Sequence, residues 1–257
     1  MQRNLLSFVL GMLAFVALAV PAATRAADPS PGSLSEMWVL TPKEGQAAEL
    51  MQGIKAQFAM RKDEGDPWTW QVFTPVLGDS LSRIVVRTCC FEWEDLDSYE
   101  AWNKEHPALQ QQYFEEMVPH MRTAGHYLEE MDWADSHWNP QAGPFRFFAV
   151  TEWVLKPGHE AVFNEARSKA SQIAINQGWG GGQRSWLWGS RIGGTPRAFL
   201  VVPYRNYADM QRKGDSFLQF LAEQMGSQEA AKALMQDLSG STTGSDFQIW
   251  ELRELEN

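Results

Sequence analysis

Two tryptophan doublets carry the clearest chemical signal in this chain. Trp68 and Trp70 stand two apart in "WTWQVF", and Trp186 and Trp188 stand two apart in "WLWGSR". In an extended strand, residues two apart share a face, so each doublet sets two indoles side by side. Indoles offer broad apolar surface with one N–H as a polar handle, which suits a small apolar or aromatic ligand. Trp38 and Trp153 join the set, because each opens a second matched stretch, "WVLTP" and "WVLKP". The chain holds twelve Trp, enough for some to line a cavity while at least one of each doublet is core.

Titratable candidates are fewer. His120 and His126 could reach a cavity, where a neutral imidazole acts as a base. Arg87 lies in a strand and could hold an anion or pair with a neighbouring acid. Glu36 and Glu152 sit within apolar strands. A carboxylate buried beside aromatics would have a raised pKa and could serve as acid or base, but an exposed edge position is the simpler expectation for both. The five His include no i, i+4 pair and no "HExxH", so no metal site is expected.

Other motifs point away from chemistry. Cys89 and Cys90 are adjacent in "RIVVRTCCFEW". Successive strand side chains face opposite ways, so two small hydrophobes are expected rather than a bridge, with a redox pair as the sharper alternative. "GWGGGQR" at 178–184 follows a helix and precedes a strand, the wrong order for a phosphate loop. No "GxSxG" and no dinucleotide fingerprint occurs.

The elements that would position these residues come twice. "MWVLTPKEGQAAEL" aligns with "EWVLKPGHEAVFNEA", each an extended run closed by Pro, then a turn and a helix start. Helices are predicted over 47–62 and 160–175 from apolar residues three and four apart, with exits at Gly65 and Gly178. The doublets open strands, and a turn leads to a second strand, "SRIVVRTCCFEW" or "RAFLVVPY". Second helices follow, capped by Asp95 and Asn206, broken near His106-Pro107 and Gly214, and ending near Gly125 and Gly240. "HYLEEMDW" and "DFQIWELREL" close the halves. Each half thus reads strand-helix-strand-strand-helix-strand, the ferredoxin-like unit. The fold class is α+β: two tandem ferredoxin-like (βαββαβ) units packed sheet to sheet as a pseudo-dimeric α/β barrel.

A strand ending in "VLKPGHE", a helix, a hairpin and then "FEWEDLDSYEAWNKEHPAL" resembles the dimeric α/β-barrel superfamily, in its antibiotic-biosynthesis-monooxygenase-like and NIPSNAP-like branches. The resemblance covers nearly the whole mature chain, once per half. It implies a cavity enclosed by two ferredoxin-like units, and members that include cofactor-independent monooxygenases, haem-degrading enzymes and proteins with no established activity. In the haem-degrading branch a Trp precedes the ligating His by ten residues. The comparable Trp102 is followed at that distance by Gln112, so no haem, and no other cofactor, is expected.

The remaining signals concern address and partners. Arg3, the apolar run from Leu5 to Val20 and the small residues after it form a signal-peptide pattern, over residues 1–26. The run is shorter than the about 20 residues a spanning helix needs. A flexible lead-in is predicted over 27–35, a first unit over 36–138, a linker over 139–144 and a second unit over 145–257. The destination is the periplasm or the exterior. The formal charge of −10 argues against nucleic acid and, after cleavage, against an anionic membrane. The expected partner is a small apolar or aromatic molecule held between the two sheets. The enzyme alternative is a cofactor-independent monooxygenase, and a third is a structural or assembly role. Tandem fusion leaves homo-oligomers open.

Overall fold

The computed structural model describes residues 32–139, 142–182, 184–211 and 214–254. The signal-peptide pattern lies outside these residues, as do positions 140 and 141 of the predicted linker. The first strand, β1 (Leu34–Pro42), begins inside the stretch read as lead-in, and Pro42 ends it as expected. Helix α1 (Ala47–Asp63) and strands β2 (Trp70–Leu77) and β3 (Ile84–Phe91) follow. Then come α2 (Trp93–Glu105), α3 (Pro107–Gln112), a π-helical turn (Tyr113–Met117) and a 3₁₀ turn (Val118–His120). Strand β4 (Met121–His137) closes the first half. The second half is β5 (Phe147–Leu155), α4 (Glu160–Asn176), β6 (Trp186–Ile192), β7 (Arg197–Tyr204), α5 (Phe217–Met225), α6 (Gln228–Gly240) and β8 (Thr242–Arg253).

The eight strands form one closed antiparallel barrel in the order β1-β3-β2-β8-β5-β7-β6-β4. The α+β class and the barrel are as expected; the closure is made by hydrogen bonding along β2·β8 and β4·β6. The length of β4 makes the second seam: residues 121–130 pair with β1, and residues 128–137 pair with β6.

Strand alternation sorts side chains into two environments. Met37, Phe73 and Val85 meet Phe148 and Trp250 in a cluster drawn from both halves, which places them inside the barrel. Met131, Leu187 and Phe199 form a second interior cluster. The interior is therefore filled with side chains along these two levels. Facing outward, Leu40, Val72, Ile84 and Val86 pack under α1 through Leu50 and Ile54.

Several local expectations need correction. The α2 N-cap is Glu92, and Asp95 is its capping-box partner three residues on, accepting from the Glu92 N–H at 2.8 Å. Asn206 caps only a 3₁₀ turn, and the second-half helix starts after Ser216. Gly125 lies within β4, not at a helix end. Cys89 and Cys90 form a disulfide. The expectation of two unlinked, opposed side chains is therefore corrected. Glu36 and Glu152 are not at an edge, because a closed barrel has none.

Candidate functional site

The cavity of interest lies outside the barrel wall, between the first-half strands and their helices. It measures about 510 Å³. Its floor is Trp38 and Leu40 from β1, Trp70 from β2 and Val86 from β3. Ile54, Gln57, Phe58 and Arg61 of α1 form one wall, and Tyr99, Asn103 and His106 another. Tyr113, Phe114 and Met117 reach it from the π-helical turn. Such turns insert one residue into a helix and recur at functional sites; this one swings two aromatics toward the cavity.

One carboxylate organises the α1–α2 corner. Asp66 Oδ2 accepts from Arg61 at 2.8 Å, the Tyr99 hydroxyl at 2.9 Å and the Trp70 indole N–H at 3.1 Å. Asp66 Oδ1 accepts from the Trp68 backbone N–H at 2.8 Å. Burial pushes the Tyr99 hydroxyl well above the ordinary tyrosine value; Arg61 opposes that shift and Asp66 adds to it. Tyr99 thus keeps its proton at neutral pH and donates a hydrogen bond to Asp66. Burial also raises Tyr113. Trp68 precedes β2 rather than opening it, and it stacks between Phe91 (4.4 Å) and Tyr99 (3.6 Å). Tyr99 continues to Trp102 and Trp102 to His106, with ring centroids at 5.6 and 4.2 Å.

The polar lining has defined directions. His106 Nδ1 lies 2.7 Å from the Trp102 carbonyl. A carbonyl only accepts, so Nδ1 carries a proton; Nε2 lies 3.8 Å from the Glu64 carboxylate. Gln57 is 6% exposed; its Nε2 donates to the Leu109 carbonyl at 3.2 Å, and its Oε1 is buried with no partner. Glu36 Oε1 accepts from the Trp38 indole and from His126 Nε2, both at 2.8 Å. His126 also stacks on Trp38 at 4.0 Å, with the rings nearly parallel, because the two residues are cross-strand partners.

The sequence candidates therefore scatter. Trp38 and Trp70 line the cavity, and His126 reaches it through Glu36. Trp68 supports its far side through Tyr99. Trp153, Trp186 and Trp188 pack in the second-half core with Phe163, Phe217 and Phe220, where these aromatics occupy the space that the first half leaves as a cavity. Trp186 and Trp188 are 8% exposed. His120 is bound to the Gln46 side chain at 3.1 Å. Arg87 and Glu152 point into the barrel. Arg87 pairs with Glu129 at 3.3 Å, and Glu152 pairs with Arg191 and, at 3.8 Å, Arg197. Burial raises Glu152 above the ordinary carboxylate value, and the arginines only partly offset it. Sequence reasoning missed Gln57, Tyr99, Tyr113 and His106 as lining groups. The only available signal was their position on helix faces opposite the Trp strands.

No protein-family model matches the sequence, and no curated protein matches it. Solved structures do match in fold. An anthrone oxidase-like protein superposes with a TM-score of 0.51 at 10% identity, covering 86% of this chain and 92% of its own. A "putative monooxygenase" from Lactobacillus acidophilus NCFM gives 0.51 at 9% identity, over 86% and 94%. One from Fusobacterium nucleatum subsp. nucleatum gives 0.52 at 7% identity, over 87% and 94%. The shared property is the ferredoxin-like α/β-barrel architecture.

Proposed function

We propose that this chain binds a small aromatic molecule in the cavity between the first-half strands and helices α1 to α3. The observation that carries it is the lining: Trp38, Trp70, Tyr99 and Tyr113 surround about 510 Å³. A pocket of this size suits one small ligand. The binding place proposed from sequence moves from between the sheets to the helix side of one sheet, since side chains fill the barrel interior. The strand orders β4-β1-β3-β2 and β8-β5-β7-β6 support two tandem ferredoxin-like units. The pattern in residues 1–26 supports export to the periplasm or beyond.

Tryptophan fluorescence tests the reading, because Trp38 and Trp70 form the floor. One- to three-ring aromatics should quench emission saturably and raise the melting temperature. Val86→Phe, which fills the floor, should remove both responses while the far-ultraviolet circular dichroism stays the same. Saturable quenching that survives in Val86→Phe would move the site elsewhere.

A cofactor-independent monooxygenase is the second reading. His106 favours it, since an imidazole that lines an aromatic cavity and lies 3.8 Å from the Glu64 carboxylate could take a proton from a substrate. Anthrone, suggested by the name of one structural neighbour, is the natural probe. Oxygen uptake with anthrone, lost in His106→Ala, would support catalysis. Binding without uptake would leave the chain a binding protein.

A further inference from the structure

We propose that the molecule taken up by this cavity is an aromatic ammonium cation whose charge rests on Glu36. The proposal builds on the binding reading and names its ligand class. Glu36 lines the cavity and is 8% exposed. Both of its protein donors, the Trp38 indole and His126, converge on Oε1. Oε2 has no partner among the described residues, and no Arg or Lys there forms an ion pair with Glu36.

The other charged side chains of the lining are already matched. Arg61 pairs with Asp66 at 2.8 Å and also bonds the Tyr99 hydroxyl at 2.7 Å. Lys104 pairs with Glu100 at 2.6 Å on the exposed rim. Among the described residues the Glu36 carboxylate thus has one open oxygen and no Arg or Lys partner; its one titratable neighbour, His126, lies at Oε1, 2.8 Å away. A ligand cation at Oε2 adds a charge-assisted hydrogen bond there.

The walls suit the same ligand. The electron-rich faces of Trp38, Trp70, Tyr99 and Tyr113 attract a cation, most strongly where water is excluded. An ammonium group has three N–H donors. One serves Glu36 Oε2. A carboxylate ligand would meet Glu36 as a like charge. A neutral one would leave Glu36 unmatched. The acidic chain, −10 overall, also draws cations toward its surface.

Three ligands of similar shape test this: 2-phenylethylammonium, 2-phenylethanol and phenylacetate, titrated against the full chain by calorimetry. The ammonium is expected to bind at least about tenfold more tightly than the alcohol, a modest yield for a desolvated cation–π and ion-pair contact, and phenylacetate should bind weakest. In Glu36→Gln, checked for folding by circular dichroism, the ammonium should lose at least about tenfold more affinity than the alcohol, so that the preference between them disappears. If the alcohol or phenylacetate matches the ammonium on the wild-type chain, the cation claim fails and the aromatic cavity stands. If Glu36→Gln keeps full preference for the ammonium, Glu36 is not the seat of the charge. If none of the three binds, both the cation claim and the cavity reading fall.

Discussion

Asp66 shows how much one side chain can hold in place. It is 3% exposed as a side chain, yet it accepts from Arg61, Tyr99, Trp70 and the Trp68 backbone. Replacing it with Ala would leave the guanidinium uncompensated and the Trp70 indole N–H without its acceptor. Removing one member of a buried pair typically costs several kcal/mol, so Asp66→Ala should destabilise the fold by about 3 kcal/mol in urea denaturation. It should also loosen Trp70, so its ligand affinity should fall beyond what stability alone explains. A loss below about 0.5 kcal/mol would mark the network as surface decoration. At this scale the sequence was partly legible. Trp38 and Trp70 announced themselves through spacing and recurrence. Glu36 did not, because an acid in an apolar strand reads as an edge residue until closure of the barrel is known. Gln57 gave no sign, since a polar residue on a helix is ordinarily solvated.

Between elements, the cavity depends on how closely α1 meets the π-helical turn. Gly53 makes that approach possible: a Cβ there would lie 2.7 Å from the Glu116 carbonyl oxygen and 3.1 Å from Met117 Cγ. In an open helix, Gly→Ala gains about 1 kcal/mol. Here the obstacle is backbone, so Gly53→Ala should instead lower stability by about 1–3 kcal/mol, read from the urea midpoint. It should also weaken ligand binding, since the displaced turn carries Tyr113 and Phe114. A stabilised variant would show that the turn yields freely. Element order was well legible in the sequence, because Pro42 ends β1, Gly65 and Gly178 follow helices, and apolar residues recur at helical spacing. Caps and breaks were less so: the Asp95 and Asn206 signals were real capping chemistry, but attached to a capping-box partner and to a 3₁₀ turn. The Cys89–Cys90 bond was illegible because alternation along a regular strand turns neighbouring side chains apart.

Across the whole molecule, the two halves share an interior that is polar as well as apolar. Glu152 of β5 bonds Arg191 of β6, and Arg191 lies 4.5 Å over the ring of Tyr127 on β4, across the seam between the halves. Gly189 leaves room for this crossing level, since a Cβ there would strike Phe199 and the Glu130 carbonyl. The recurrence of "WVLTP" and "WVLKP" marked β1 and β5, but not the pairing of β2 with β8 or of β4 with β6, because pairing between distant strands leaves no local trace. The interior charge carries a pH signature. Burial holds the Glu152 carboxyl above its ordinary 4.5, against the pull of Arg191 and Arg197 and with help from Glu129 and Asp246. A group whose folded value is raised gives its full contribution below the unfolded value and loses it as pH climbs through the folded one. Wild type should therefore lose stability relative to Glu152→Gln, which cannot titrate, as pH rises upward from about 4.5. Paired urea midpoints across that range measure the difference directly. If wild type gains on the variant instead, the arginines outweigh burial, and Glu152 is held ionised inside the barrel as half of a favourable ion pair.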